Sequence, residues 1–197
     1  MRRIGEKSVE VGNVAEFGGY SWRVLDVQNG QALLISEFVL ESRAYHTENV
    51  AATWENCTLR HYLNGEFYEK FSAADRAKIV QTELENRNNP WFGTFGGNGT
   101  TDYIFLLSAE EVLWYFGGGL GNLENWSIDD QFNQKRIATD ISGTPKWWWL
   151  RSPGYGSYDA VGVDEFGVVN LGGGFVSEND SGVRPALWVD LGLEELD

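Results

Sequence analysis

The chain of 197 residues carries 15 lysines and arginines against 29 aspartates and glutamates, a net charge of −14. Nucleic-acid binding draws on bases that neutralise phosphates, so this balance argues against it and against electrostatic attachment to an anionic membrane. Cys57 is the one cysteine and there are two histidines, which rules out an intrachain disulfide and leaves too few ligands for a structural zinc site.

A hydrophobic content of 42% with 14% aromatics marks a chain that folds. Val9, Val11, Val14 and Phe17 around Gly12-Asn13 predict strand and turn, and Tyr20 to Val27 predicts a second strand. Asn29-Gly30 is a type I′ hairpin signal that returns the chain over Gln31 to Ser36. A helix capped by Thr53 or Thr58 is predicted through Trp54, Leu59, Tyr62 and Leu63, ending at Asn64-Gly65. Ser72 with Asp75 predicts a short helix to Val80. Residues 86–101 read as loop and Asp102 to Leu107 as strand. Ser108 with Glu111 is a capping box for a helix that stops at Gly117-Gly118-Gly119. Residues 120–146 read as a polar insertion. Trp147 to Leu150 is a buried strand, and Val183 to Val189 closes the chain as one strand whose Pro185 requires an edge or a bulge.

The expected architecture is a single α+β domain over 1–197. It has an N-terminal hairpin region (1–40), a helical and insertion region (41–146) and a C-terminal frame with loops (147–191). No apolar run reaches the about 18 residues of a membrane span, so no membrane insertion is expected. No apolar stretch follows Arg2-Arg3, so a cytoplasmic location is expected, or a phage particle or surface if a partner carries it there.

No serine sits in a nucleophile elbow, and no glycine run has the phosphate-loop form. Cys57 reads as a small buried hydrophobe, and His46 and His61 as non-catalytic. Glu178-Asn179-Asp180 reads as a solvated acidic turn in preference to a calcium site, which takes oxygens from several segments. No cofactor or metal is expected.

The informative contrast lies in the last third. The motifs WWWLRSPG (147–154) and GVRPALWV (182–189) are apolar and rigid, with Trp147, Trp148, Trp149, Arg151 and Arg184 as the structural frame. Between them, residues 155–181 hold five acids, six glycines and no Lys, Arg or His. Tyr, Gly, Ser and Asn on a rigid frame is paratope chemistry, and it is also ordinary hairpin chemistry. The predicted ligand-binding residues are Tyr155, Tyr158, Asp159, Asp164, Phe166, Asn170, Phe175, Glu178, Asn179 and Asp180. They are expected to cluster at one end of the domain.

These motifs, with FGGYSWRVLDV, ALLISEFVL, TWENCTLRHYLNGEFY and TDYIFLLSAEEV upstream, resemble a bacterial domain family of unknown function common in gut Firmicutes and their prophages. The C-terminal pattern is similar to the C-type-lectin-like fold of formylglycine-generating enzymes and of the variable proteins of diversity-generating retroelements. The resemblance implies small twisted antiparallel sheets, short helices and long loops. It also implies a non-catalytic protein presenting a diversified surface to a protein or glycan ligand. The copper-holding cysteine pair of the formylglycine-generating enzymes is absent, as are the calcium motifs of classical lectins. Mutagenesis of template adenines would account for most residues of 155–181, while Glu165 and Glu178 fall outside its products. The alternatives are an enzyme related to formylglycine-generating oxidases and a structural module of a phage or surface assembly.

Overall fold

A computed structural model describes residues 2–3, 9–122 and 126–192. The fold is mixed α+β, built from small, mostly antiparallel sheets with a few short helices.

The first large sheet has the order β1 (Arg2–Arg3), β2 (Val14–Phe17), β3 (Tyr20–Gln28), β4 (Gln31–Ser36), β16 (Ala186–Asp190), β6 (Ile79–Val80). The Asn29-Gly30 turn joins β3 to β4 as expected, with φ of 50° and 71° at its two residues, the left-handed values a type I′ turn demands. The second sheet has the order β5 (Glu41–Ser42), β15 (Gly182–Val183), β12 (Trp148–Pro153), β13 (Asp159–Val163), β14 (Val169–Phe175), β9 (Ser127–Ile128). Two ribbons, β7 (Thr82–Leu84) with β8 (Thr100–Asp102) and β10 (Ala138–Thr139) with β11 (Pro145–Lys146), complete the strands.

Every residue of β12 is buried, so this strand is covered on both faces. Side chains alternate along it. Trp147 and Trp149 meet edge to face at 4.4 Å on one side, while Trp148 donates its indole N–H to the carbonyl of Arg136. Trp148 pairs with Gly182 of β15, so the two frame motifs are adjacent strands.

The final strand departs from expectation. Residues 183–189 are two strands in different sheets, with the break at Arg184-Pro185. β15 lies beside β12, whereas β16 is an interior strand between β4 and β6. Proline falls in the crossing, where no ladder needs its missing N–H.

Helix α1 (Thr58–Tyr62) is capped by Cys57, whose sulfur accepts the Arg60 amide. It does not end at Asn64-Gly65 but runs on through a π-helical turn, Leu63–Phe67. The Asn64 side chain points inward, where it accepts from the Tyr103 amide at 2.7 Å and donates to the Ile104 carbonyl at 2.8 Å. Its polar groups are thus spent on another segment and do not stop the helix. Helix α2 (Ala73–Arg76) starts at Ser72 as predicted but stops early, because Ile79 and Val80 leave to pair with β16. The strand expected at 102–107 shrinks to β8 plus a bridge from Phe105 to Ala186. Helix α3 (Ala109–Phe116) has the full Ser108–Glu111 capping box and ends at Gly117, φ 95°.

The 120–146 segment is more than an insertion. It supplies the edge strand β9 and helix α4 (Asn133–Arg136), whose Arg136 is fully buried and donates to the Gly167 carbonyl at 3.0 Å. Among the described residues no helix is long and apolar enough to cross a membrane.

Candidate functional site

The connection from β12 to β13 is pinned by its backbone, which leaves its rings free. Gly154 is forced: a Cβ there would stand 2.5 Å from the Gly172 carbonyl oxygen. Tyr155 donates its amide to that same oxygen at 2.8 Å. The Asp159 carboxylate accepts the Gly156 amide at 3.1 Å and closes the turn, while the Tyr158 carbonyl accepts from Val176. Both tyrosine rings therefore project from a fixed backbone.

On β14 the pairing with β13 shifts register between Ala160 and Gly162. Asn170 shapes this irregularity by accepting the amides of Gly172 and Gly173 at 3.0 and 3.1 Å. Gly173 sits at φ 75°, and a Cβ on it would lie 2.1 Å from the Ala160 carbonyl oxygen. Bare backbone at Gly172 lets the Trp126 ring lie against it. Trp126 itself holds φ 58°, a conformation bulky residues adopt only at a price in strain.

A third wall comes from the 89–94 loop, and buried Asn89 sets it. Its amide donates to the carbonyls of Pro153 at 2.7 Å and Leu171 at 2.9 Å, and its oxygen accepts the amides of Trp91 and Phe92, each at 2.9 Å. Phe92 then meets the Tyr155 ring edge-on at 4.9 Å, and the Thr94 hydroxyl donates to the Tyr155 carbonyl.

Together these walls enclose a groove of about 820 Å³. Five aromatics line it: Phe92, Trp126, Tyr155, Tyr158 and Phe175. Four of them are strongly exposed, Trp126 at 47%, Tyr155 at 68%, Tyr158 at 47% and Phe175 at 59%. Exposed aromatics gathered in one concavity mark a binding surface more often than a bare surface does. Among the described residues the lining has one carboxyl, Asp159, and no base. Partial burial pushes the Asp159 carboxyl above its ordinary range, against the lowering effect of the Gly156 amide.

The ten predicted residues do not form one cluster. Tyr155, Tyr158, Asp159 and Phe175 come together, with Asp159 paired to Phe175 across the strands. Glu178 folds back over Gly174 at the same end, and exposed Asn179 and Asp180 follow it towards β15. Asn170 acts inside β14 on the backbone. Asp164 and Phe166 occupy the turn at the other end of β13 and β14, where Asp164 accepts the amides of Phe166 and Val168. Strand β13 separates the two turns by about 15 Å at the usual rise per residue. Phe92, Trp126 and Asn49 were missed. The run NNPWFGTFGG at 88–97 mixes aromatics with Asn, Gly and Thr, the same composition that singled out 155–181.

Of the frame residues, Trp148, Trp149, Arg151 and Arg184 are buried, whereas Trp147 precedes β12 and is only partly buried. Arg151 pairs with Glu111 and donates to the Leu106 carbonyl at 3.0 Å. Arg184 donates Nε–H to the Ser36 carbonyl at 2.9 Å. Cys57 is fully buried, and burial pushes its thiol up to about 12, far from the thiolate a nucleophile needs. His46 Nδ1 accepts the Thr58 amide at 3.2 Å, a structural contact, and His61 is exposed on α1. Among the described residues no three His, Cys, Asp or Glu side chains group to hold a metal ion.

No curated protein and no solved structure matches this chain. Residues 29–191 match a domain of unknown function, DUF6273, and the chain belongs to that family.

Proposed function

We propose that the domain is a non-catalytic binding module of C-type-lectin-like architecture whose groove holds a protein or glycan ligand. The observation that carries this reading is the set of four exposed aromatics, Trp126, Tyr155, Tyr158 and Phe175, on one groove of about 820 Å³. Rigid aromatics on a pinned backbone give contact area at little entropic cost, and they stack on sugar faces, on apolar side chains and on cations alike. The Asp159 carboxyl of the lining, in a chain of net charge −14, favours ligands that are neutral or cationic. On this proposal the domain resembles the variable proteins of diversity-generating retroelements, its diversified surface set on loops between β12, β13 and β14. A reverse-transcriptase gene beside this one, with a near-repeat of the 155–181 coding segment, would support it.

The test uses an oligosaccharide array and a set of lysine-rich peptides as probes. Tyr155→Ala, Tyr158→Ala and Phe175→Ala combined should abolish whatever binding the native chain gives, with the melting temperature within a few degrees. Phe166→Ala, at the far turn, should leave binding intact. A triple variant that unfolds, or that binds as the native chain does, would make these rings scaffold.

A further inference from the structure

The crossing at Arg184-Pro185 carries the chain from the second sheet to the first. Beside it opens a second cleft, of about 430 Å³, between strand β3, the Glu37-Phe38 segment that follows β4, and helices α3 and α4. Arg23, Glu37, Tyr115, Lys135, Thr139 and Arg184 line it, and it shares no residue with the aromatic groove. Among the described residues three bases face one acid here, the reverse of a chain in which acids outnumber bases 29 to 15.

Arg184 is only 3% exposed. Its guanidinium lies 5.0 Å from the Trp148 ring and 5.5 Å from the Phe116 ring, and its Nε–H holds the Ser36 carbonyl. Its Nη1 is buried with no hydrogen-bond partner. Glu37 accepts from Arg23 through Oε1 at 2.5 Å, and its Oε2 is likewise buried without a partner. Burial draws the Arg184 guanidinium down to about 10, with Glu37 opposing that shift. An unmet buried donor on a charged group carries a desolvation penalty that a bound acceptor would relieve. One cleft thus presents both an orphan donor and an orphan acceptor, with room beyond a single water, whose share of liquid volume is about 30 Å³.

We propose that this cleft binds a small oxyanion that also carries a hydrogen-bond donor, a hydroxycarboxylate being the fitting class. Arg184 takes the carboxylate through its unmet Nη1, the exposed Lys135 and the half-buried Arg23, already paired to Glu37, add charge at the mouth, and Glu37 Oε2 accepts the hydroxyl.

The probes are glycolate, acetate and chloride at matched ionic strength, followed by the Arg184 Nε–H and backbone amide resonances of the native chain. Glycolate should saturate, with shifts at 23–25 and 135–139, and should bind tighter than acetate, which lacks the hydroxyl. Lys135→Ala, at an exposed position, should weaken glycolate binding by about threefold, the scale of one exposed charge. Arg184→Lys should weaken it by about tenfold or more, the scale of one charge-assisted bond. The Tyr155→Ala, Tyr158→Ala variant should change nothing. Shifts that stay linear in glycolate or are reproduced by chloride would overturn the proposal, as would binding unaffected by Lys135→Ala. A glycolate-soaked crystal with only a water between Arg184 and Glu37 would overturn it equally. If Arg184→Lys fails to fold, Lys135→Ala and the glycolate–acetate contrast decide.

Discussion

Both carboxylate oxygens of Glu111 accept from the Arg151 guanidinium, Oε1 from Nη2 at 2.8 Å and Oε2 from Nη1, and Oε2 also accepts the Ser108 amide at 2.8 Å. One side chain thereby caps α3 and balances the buried base of β12. Glu111→Ala would remove both contacts. Loss of an ordinary cap costs about 1 kcal/mol, whereas a buried charge stripped of its partner costs about 3 kcal/mol or more. Arg151 is 4% exposed, so the larger figure should apply. Glu111→Gln, which keeps the cap, should fall between. Urea unfolding of both variants decides: a loss of about 1 kcal/mol for Glu111→Ala would mean the pair adds nothing.

Asn89 holds the groove's third wall through donors to Pro153 and Leu171 and an acceptor for Trp91 and Phe92. Asn89→Ala should cost about 2 kcal/mol by leaving buried groups unmet. Asn89→Asp has the same shape but no donor, and it sets a carboxylate against two carbonyl oxygens. At neutral pH it should be the worse of the two. Amide exchange should quicken at Phe92 and Tyr155 in both. Equal stability for Asp and Asn at this position would show the network to be incidental.

Features decided within a few residues could be read in the sequence. The Asn29-Gly30 turn, the Ser108–Glu111 cap and the buried tryptophan strand each depend on neighbours in the chain. What could not be read depends on distant partners. Pro185 lies within a stretch, 183–189, that is apolar but for Arg184, and only the competition of two sheets for 182–190 splits it. Asn64 looks like a helix stop until residues 103–104 supply partners for its amide. For the site, the segment was legible but its geometry was not. A meander of three strands, β12, β13 and β14, puts its two turns at opposite ends, so Phe166 leaves the cluster, while Phe92 and Trp126 arrive from remote loops.

Glycines around the groove should rank by what a methyl group would meet. Gly173→Ala combines φ 75° with a backbone oxygen at 2.1 Å, and should cost upwards of about 2 kcal/mol. Gly156→Ala meets only the Asp159 carboxylate at 3.4 Å, and should stay within about 0.5 kcal/mol. Thermal melts of the two variants check the order. A tolerated Gly173→Ala would mean that β14 can move away from β13 there, and that the groove floor is soft.

The raised carboxyl of Asp159 gives a pH dependence of unusual sign. Most paired carboxylates are lowered in the fold and stabilise it above their unfolded pKa. Asp159 is shifted the other way by partial burial, so the folded chain holds this proton more tightly than the unfolded one. Its contribution is then fully present below the unfolded value and is lost as pH rises through the folded one, within the acid range above the ordinary carboxylate pKa. Asp159→Asn keeps an oxygen for the Gly156 amide and cannot titrate. Its melting temperature relative to the native chain should therefore climb as pH rises above the ordinary carboxylate value and level off once the folded carboxyl has ionised. The same ionisation places a negative charge in the groove, so native binding to lysine-rich peptides should weaken on acidification over that range, and the variant's should not. A melting difference that is flat with pH would remove the shift, and with it the link between this carboxyl and cation preference.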